Sequence, residues 1–156
     1  MIEAYFDGCC EPVNPGGTAS YGAIVLVNGV KIWEDAELVS APPGGKTSNN
    51  VAEYSGFIAV VRFLLLGYPS ECERNEPAII RGDSKLVIMQ VQGLWRVNGG
   101  HYLPFYREAK KLWKRLKKQQ PNITLEWIPR ERNGLADELS KCLVKKAGVT
   151  FRLQPE

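Results

Sequence analysis

Residues 21–39, "YGAIVLVNGVKIWEDAELV", decide the architecture. A run rich in β-branched and aromatic side chains leads into Asn28-Gly29, and a second extended run leaves it. Asn-Gly supplies the two positive-φ positions of a type I′ turn, so the stretch reads as a β-hairpin. Upstream, "IEAYFD" (2–7) has strand composition and "GCCEPVNPGGTAS" (8–20) reads as a Gly/Pro/Asn loop. The chain therefore opens as an antiparallel meander of three strands.

Downstream the hydrophobic period lengthens. From about Asn50 to Leu66, residues Val51, Tyr54, Phe57, Ile58, Val61, Leu64 and Leu65 recur at helical spacing, and Gly67 with Pro69 ends the run. "AIIRG" (78–82) is a short buried strand, and "DSKLVIMQVQG" (83–93) reads as a helix despite its β-branched residues. In "LPFYREAKKLWKRLKKQQP" (103–121), Phe105, Ala109, Leu112, Trp113 and Leu116 form one helical stripe. "ITLEWI" (123–128) is a strand. "NGLADELSKCLVKKAG" (133–148) is a final helix, capped by Asn133 and stopped by Gly148, with a tail from about 149 that is a short strand or loose. Strands that follow helices add to a sheet in parallel, so an α/β fold is expected, a mixed sheet covered by helices in one domain over residues 1–156.

The 156 residues are 44% apolar and 24% charged, ordinary values for a soluble globular protein. No apolar run nears the ~18 residues needed to span a bilayer, and the first residues lack a basic region or cleavage site. A cytoplasmic protein is expected. Cys9, Cys10, Cys72 and Cys142 lack CxxC spacing, which argues against zinc. Free thiols are the default in a reducing compartment, with Cys72–Cys142 as the alternative pair. A net charge of +3 identifies no partner, although "KKLWKRLKK" (110–118) places six basic residues in nine positions.

Four acids stand at strand ends or helix starts, where ligand sites form on the rim of a sheet. Asp7 lies on the first strand, Glu53 in the first turn of the long helix, Asp83 just past the fourth strand, and Asp137 in the first turn of the last helix. Crowded carboxylates raise one another's pKa unless cations neutralise them. Oxygen donors without Cys or His suit hard cations such as Mg²⁺ or Mn²⁺, and a pair of such ions about 4 Å apart serves phosphodiester hydrolysis. Ordinary readings stand beside this one. Glu53 completes a capping box from Asn50, Asp137 pairs with Lys141 on an exposed helix face, and Asp7 and Asp83 are turn residues beside Gly8 and Gly82. Arg81-Gly82-Asp83 also spells an adhesion tripeptide, which would need an exposed loop in a secreted protein.

In order along the chain, "DG" (7–8), "NPG" (14–16), "YGAIV" (21–25), "TSNNVAEY" (47–54), "GDSKLV" (82–87) and "ADEL" (136–139) resemble type 1 ribonuclease H, from Ile2 to about Leu143. The resemblance implies a five-stranded mixed sheet in order 3-2-1-4-5 flanked by helices. It implies an endoribonuclease that cuts the RNA strand of an RNA–DNA hybrid, leaving 5′-phosphate and 3′-hydroxyl ends. By the same resemblance Asp7, Glu53, Asp83 and Asp137 are catalytic metal ligands for two Mg²⁺ ions, with Mn²⁺ able to substitute. Asp7 is expected to bridge the ions, Glu53 and Asp83 lying on one side and Asp137 on the other. Asn14, Gly16, Asn49 and Asn50 match positions that contact the RNA backbone, its 2′-hydroxyls or the paired DNA. Amides and close glycine backbone suit that task, because a 2′-hydroxyl both donates and accepts. Ser84 matches a position near the scissile region and Thr47 one that binds a DNA phosphate. Cys9 stands where serine is frequent, and only a backbone contact is expected of it.

The chain departs from the family pattern twice. Many members carry a histidine in a loop before the last helix, but "WIPRERNGLADEL" (127–139) has none. It resembles a short form, archaeal members included, in which an arginine substitutes. Arg130 is the first candidate and Arg132 the second, for binding phosphate or releasing product rather than for proton transfer. His101, the only histidine, is expected in a loop. Some members also insert a basic protrusion, which "QVQGLWRVNGGHYLPFY" (90–106) lacks. Trp95 then belongs either in the hybrid groove or in the core. Lys110, Lys111, Lys114, Arg115, Lys117 and Lys118 either attract phosphates or form an ordinary solvated face. The expected partner is an RNA–DNA hybrid, with double-stranded RNA open as a second substrate, no membrane, and a monomeric protein. The alternatives are a non-catalytic hybrid-binding module and another nuclease of the ribonuclease H superfamily.

Overall fold

The computed structural model describes every residue except 71, 73–75 and 152–156. The elements are β1 (Ile2–Glu11), β2 (Thr18–Val27), β3 (Val30–Val39), α1 (Asn49–Leu66), β4 (Ala78–Gly82), α2 (Lys85–Val91), α3 (Leu103–Gln119), β5 (Ile123–Trp127), a 3₁₀ turn (Arg130–Arg132) and α4 (Gly134–Lys146). They build one sheet in the order β3-β2-β1-β4-β5, as expected. β1, β2 and β3 pair antiparallel, and β4 and β5 add in parallel. Asn28 and Gly29 take φ of 49° and 81°, the turn that their dipeptide demands.

The first hairpin is longer than its composition suggests. β1 runs on through Gly8, Cys9 and Cys10 to Glu11, and β2 begins at Thr18. Gly8–Cys10 are all buried, so the strand end lacks the polar alternation that marks a half-exposed strand. Two glycines explain how it is covered. A Cβ on Gly8 would lie 2.4 Å from the Glu53 backbone nitrogen, and one on Gly22 would lie 2.5 Å from the Ala136 carbonyl oxygen. Gly22 is the register partner of Asp7, and successive strand residues face opposite sides. Hence α1 presses on one face of β1 at Gly8, and α4 presses on the other face beside Asp7.

Gly82 serves packing rather than turning. A Cβ there would stand 2.5 Å from the Phe6 ring, and its φ is not positive. The core fills the space between the sheet and α1, α2 and α3, with Phe6, Tyr54, Phe57, Ile80, Trp113 and Leu116 among its buried members. Polar groups inside it are chained. The Tyr54 hydroxyl donates to Gln90 Oε1 (2.6 Å), and Gln90 Nε2 donates to the Tyr102 hydroxyl (3.1 Å). Trp95 stays outside, 44% exposed, so it is not a core residue.

Arg81 ion-pairs with Glu3 and Glu126 and is mostly covered, which removes the adhesion-loop reading. All four cysteines are thiols, so the Cys72–Cys142 alternative does not form. Among the described residues no helix is long and apolar enough to cross a membrane. Residues 149–151 have no regular structure, and the rest of the tail lies outside the described residues.

Gly22→Ala is expected to destabilise the fold by about 1–3 kcal/mol, the cost of forcing extra volume against helix backbone. Thermal unfolding should show a midpoint several degrees lower. A midpoint equal to that of the parent protein would mean that α4 is not packed tightly on β2.

Candidate active site

The rim just past the end of β4, where β1 runs on and α1 and α4 begin, holds the four acids. Asp7 is carried by β1 and is 4% exposed; Glu53, on α1, is also 4% exposed. α1 starts one residue before Asn50, because Ser48 caps it, its hydroxyl accepting the Val51 N–H at 3.1 Å. Glu53 therefore lies too far into the helix for a capping box, and burial places it against the strand instead. Asp83 follows β4 directly, and Ser84 caps α2 through the Val87 N–H (3.3 Å). Carboxylate oxygens of Asp7, Glu53 and Asp83 lie within 4.8 Å of one another. Asp137 falls outside that trio but acts electrostatically on Asp7.

The electrostatics divide the four. Burial, then the Asp83 charge, pushes Asp7 well above the usual carboxylate range. Burial, then Asp7, does the same to Glu53, and burial also raises Asp83. Asp137 goes the other way. Its partial burial is outweighed by Lys141 at 2.9 Å and by Arg130, whose Nη2 lies 3.6 Å from Asp137 Oδ1. Lys141 is only 14% exposed along its side chain, so the Asp137–Lys141 pair belongs to the site and is not the exposed helix pair that its spacing suggested.

The donor set fits a hard divalent cation. Its atoms are all carboxylate oxygens, and Glu53 Oε2 is buried with no hydrogen-bond donor reaching it. A buried carboxylate oxygen left without a partner is costly, and a cation is what would satisfy it.

Asn133 is a site residue that its sequence context hid. Standing before Gly134, it reads as a helix cap, yet its side chain makes no cap bond and is 1% exposed. Its Nδ2 donates to the Phe6 carbonyl (2.8 Å), tying the start of α4 to the strand just before Asp7, and its amide also lowers Asp83. No feature of "RERNGLADEL" (130–139) separates such a strut from a cap.

Several of the other expected contacts gather around the start of α1. The loop 12–17 is pinned to the approach to α1 by three bonds: Asn49 N–H to Asn14 Oδ1 (2.9 Å), Gly16 N–H to the Thr47 carbonyl (2.8 Å), and the Thr47 hydroxyl to the Gly17 carbonyl (2.6 Å). Thr47 has thus committed its only hydroxyl proton, and Asn14 one face of its amide. Asn49 and Asn50 stand in the first turn of α1. His101 lies in a turn, as expected, and its Nδ1 accepts the Lys46 N–H (3.2 Å). Arg130 is 60% exposed at its ion pair with Asp137, whereas Arg132 forms none of the ion pairs of the described residues. The Cys9 thiol, pushed up to about 12 by burial and then by Asp7, donates to the Ser140 carbonyl (3.3 Å) and acts as packing between β1 and α4.

Residues 5–142 match a family model described as reverse transcriptase-like. A ribonuclease H1 isolated from compost by a metagenomic approach is 30% identical, with a TM-score of 0.73 covering 94% of this chain and 97% of that one. The chain belongs to the type 1 ribonuclease H family. The ribonuclease H1 of the archaeon Halobacterium salinarum superposes with a TM-score of 0.69 at 28% identity, over 92% of this chain and 98% of that one. A bifunctional protein of Mycobacterium tuberculosis is 35% identical over 129 residues, 81% of this chain. This ribonuclease H chain spans only 31% of the length of that relative.

The pKa directions predict how stability responds to pH. A carboxyl whose pKa is raised by folding stabilises the fold below its unfolded pKa, about 4, and loses that contribution as pH climbs through the raised value. Asp7 and Glu53 behave so; Asp137, held low, contributes in the opposite sense. In chelator, Glu53→Gln should therefore raise the melting temperature at pH 8 and give no gain below about pH 4. Melts of both proteins across that range check it, and a Glu53→Gln protein less stable at pH 8 would contradict the buried-charge account.

Proposed function

We propose that this chain is a metal-dependent endoribonuclease that hydrolyses the RNA strand of RNA–DNA hybrids, leaving 5′-phosphate and 3′-hydroxyl ends. The observation that carries this reading is the cluster of Asp7, Glu53 and Asp83 within 4.8 Å, with a buried Glu53 oxygen that no hydrogen-bond donor reaches. Family membership supports it, as does the ribonuclease H1 relative crystallised with an RNA/DNA hybrid, which is 29% identical with a TM-score of 0.73 over 94% of this chain and 99% of that one.

Asp7, Glu53, Asp83 and Asp137 are the residues proposed to hold Mg²⁺ ions, with Mn²⁺ substituting. Bound there, the ions supply charge stabilisation at the phosphodiester and an activated water. The remaining work belongs to the chain itself. Burial keeps Asp7 and Glu53 in place and excludes water around them. Lys141 holds Asp137 ionised, so this carboxylate meets a cation without first losing a proton. Arg130, exposed and already aimed at Asp137, is the proposed phosphate contact in place of the missing histidine. Gly16, Asn49 and Asn50 offer backbone and amide groups to a 2′-hydroxyl. Asn14 contributes by shaping their loop. Thr47 would give up its bond to Gly17 in order to donate to a phosphate.

Two of the six cations in residues 110–118 have structural tasks. Lys110 Nζ donates to the Val91 carbonyl (2.7 Å), and Lys117 Nζ to the Ile123 carbonyl (2.6 Å). Lys111, Lys114, Arg115 and Lys118 remain as an exposed row proposed to attract the phosphate backbone.

A labelled hybrid, double-stranded RNA and double-stranded DNA, each incubated with Mg²⁺, Mn²⁺ or chelator, test the reading. The hybrid should be cut only with metal, and Asp83→Asn should lower the rate at least about 100-fold, since a bound metal contributes several kcal/mol to the barrier. Near-normal turnover by that variant would remove Asp83 from the site. Arg130→Ala should slow turnover while Arg132→Ala leaves it close to the parent rate, and the reverse order would reassign the arginine.

A further inference from the structure

Beyond the four carboxylates, the rim carries an exposed aromatic that is held rather than free. Trp127 ends β5 in register with Gly82 and is 40% exposed. Its indole Nε1–H donates to the Asp83 carbonyl oxygen (3.1 Å), so the ring is moored to the residue that joins β4 to α2. Lys85, two residues after Asp83, lays its ammonium over that ring, 4.7 Å from the centroid. Lys85 is exposed, and among the described residues no carboxylate forms an ion pair with it.

A surface lysine ordinarily spreads over many rotamers, and fixing it on binding costs side-chain entropy. Here a cation–π contact holds the ammonium at one place beforehand, without neutralising it. The ring that holds it is itself bonded to Asp83, so an unpaired and exposed positive charge is seated two residues after one of the three clustered acids. A positive charge kept available at that spot suits an anion that arrives from solvent and reaches across the Asp83 end of the cluster.

We propose that Lys85, seated on Trp127, is a contact for the phosphodiester backbone next to the cleavage site, and that Trp127 is the positioning residue for it. This rests on the hybrid-nuclease reading for the identity of the anion. Because the indole carries no charge, the two residues can be separated experimentally. A phosphate contact adds about one unit to the slope of log affinity against log salt concentration, whereas an aromatic contact to a base adds none.

The test is fluorescence anisotropy of a labelled RNA–DNA hybrid in chelator, over a series of salt concentrations, beside a cleavage assay with Mg²⁺. Lys85→Gln should weaken binding several-fold at low salt and reduce the slope by about 1. Trp127→Ala should do the same although it removes no charge, and the double variant should lose no more than either single one. Trp127→Phe keeps a ring under the ammonium and should restore the parent slope, which also covers the case in which Trp127→Ala folds poorly. A parent slope in Lys85→Gln overturns the contact even if cleavage proceeds normally. Weaker binding by Trp127→Ala with an unchanged slope overturns it in favour of base stacking. Absence of cleavage by the parent protein, with the slope changes present, overturns the nuclease reading and leaves the contact standing. Absence of any hybrid binding overturns both.

Discussion

Asp7 and Glu53 are two acids buried next to each other, and this is the constraint around which the rim is built. Each is 4% exposed and raised first by burial, with the Asp83 charge adding to Asp7 and the Asp7 charge adding to Glu53. Side chains in such a position ordinarily swing apart into water. They are prevented by backbone, since α1 meets β1 at Gly8 and α4 meets β2 at Gly22, where even a methyl group finds no room. The strain of the buried charges has two outlets, a proton or a cation. The pKa directions are the signature of the first, and the proposed metal is the second.

The fourth carboxylate completes this logic by differing from the others. Asp137 sits on α4 with Lys141 one turn further along the same helix and Arg130 in the preceding 3₁₀ turn. Its charge is already balanced by protein cations, while the trio's is not. A site of four equal acids would bind cations without preference of place; this one directs the unmet charge to the side where Asp7, Glu53 and Asp83 converge. Asn133 keeps the two sides at a fixed spacing, because it bonds α4's first residues to the Phe6 carbonyl beside Asp7.

Much of this was legible in the sequence, for reasons that can be named. The Asn-Gly turn, the long apolar helix and the position of Asp83 after "AIIRG" follow from local chemistry that tertiary contacts do not override. What escaped was decided by contacts distant in sequence. The extra length of β1 depends on coverage of both its faces, and Gly-Cys-Cys gives no alternating pattern from which to infer it. Ser48 and Asn50 are both good caps, and only the fit of Glu53 against β1 chooses between them. Gly82 looked like a turn residue, but the neighbour that requires it is Phe6, far away in the chain. Lys141 is four residues from Asp137 whether the pair is exposed or enclosed, so spacing alone leaves that open.

Charge also explains how a surface centred on acids can suit a polyanion. Repulsion from the trio is short-ranged if a cation neutralises it, whereas lysines and arginines on α3 act through solvent over about a Debye length, roughly 8–10 Å at physiological salt. Lys110 and Lys117 keep their charge but are tied to backbone carbonyls, so they are less free to meet a phosphate directly. The cations that remain fall into two kinds. Lys111, Lys114, Arg115 and Lys118 are exposed and have no ion-pair partner among the described residues, suited to capture without choice of register. Arg130 and Lys85 are each held by a neighbour, Asp137 in one case and Trp127 in the other. Held cations lose less entropy when a phosphate arrives, so they are the ones able to fix which phosphodiester faces the carboxylates. Under the proposed function, capture and alignment fall to different residues, and only the aligned set needs to lie on the rim.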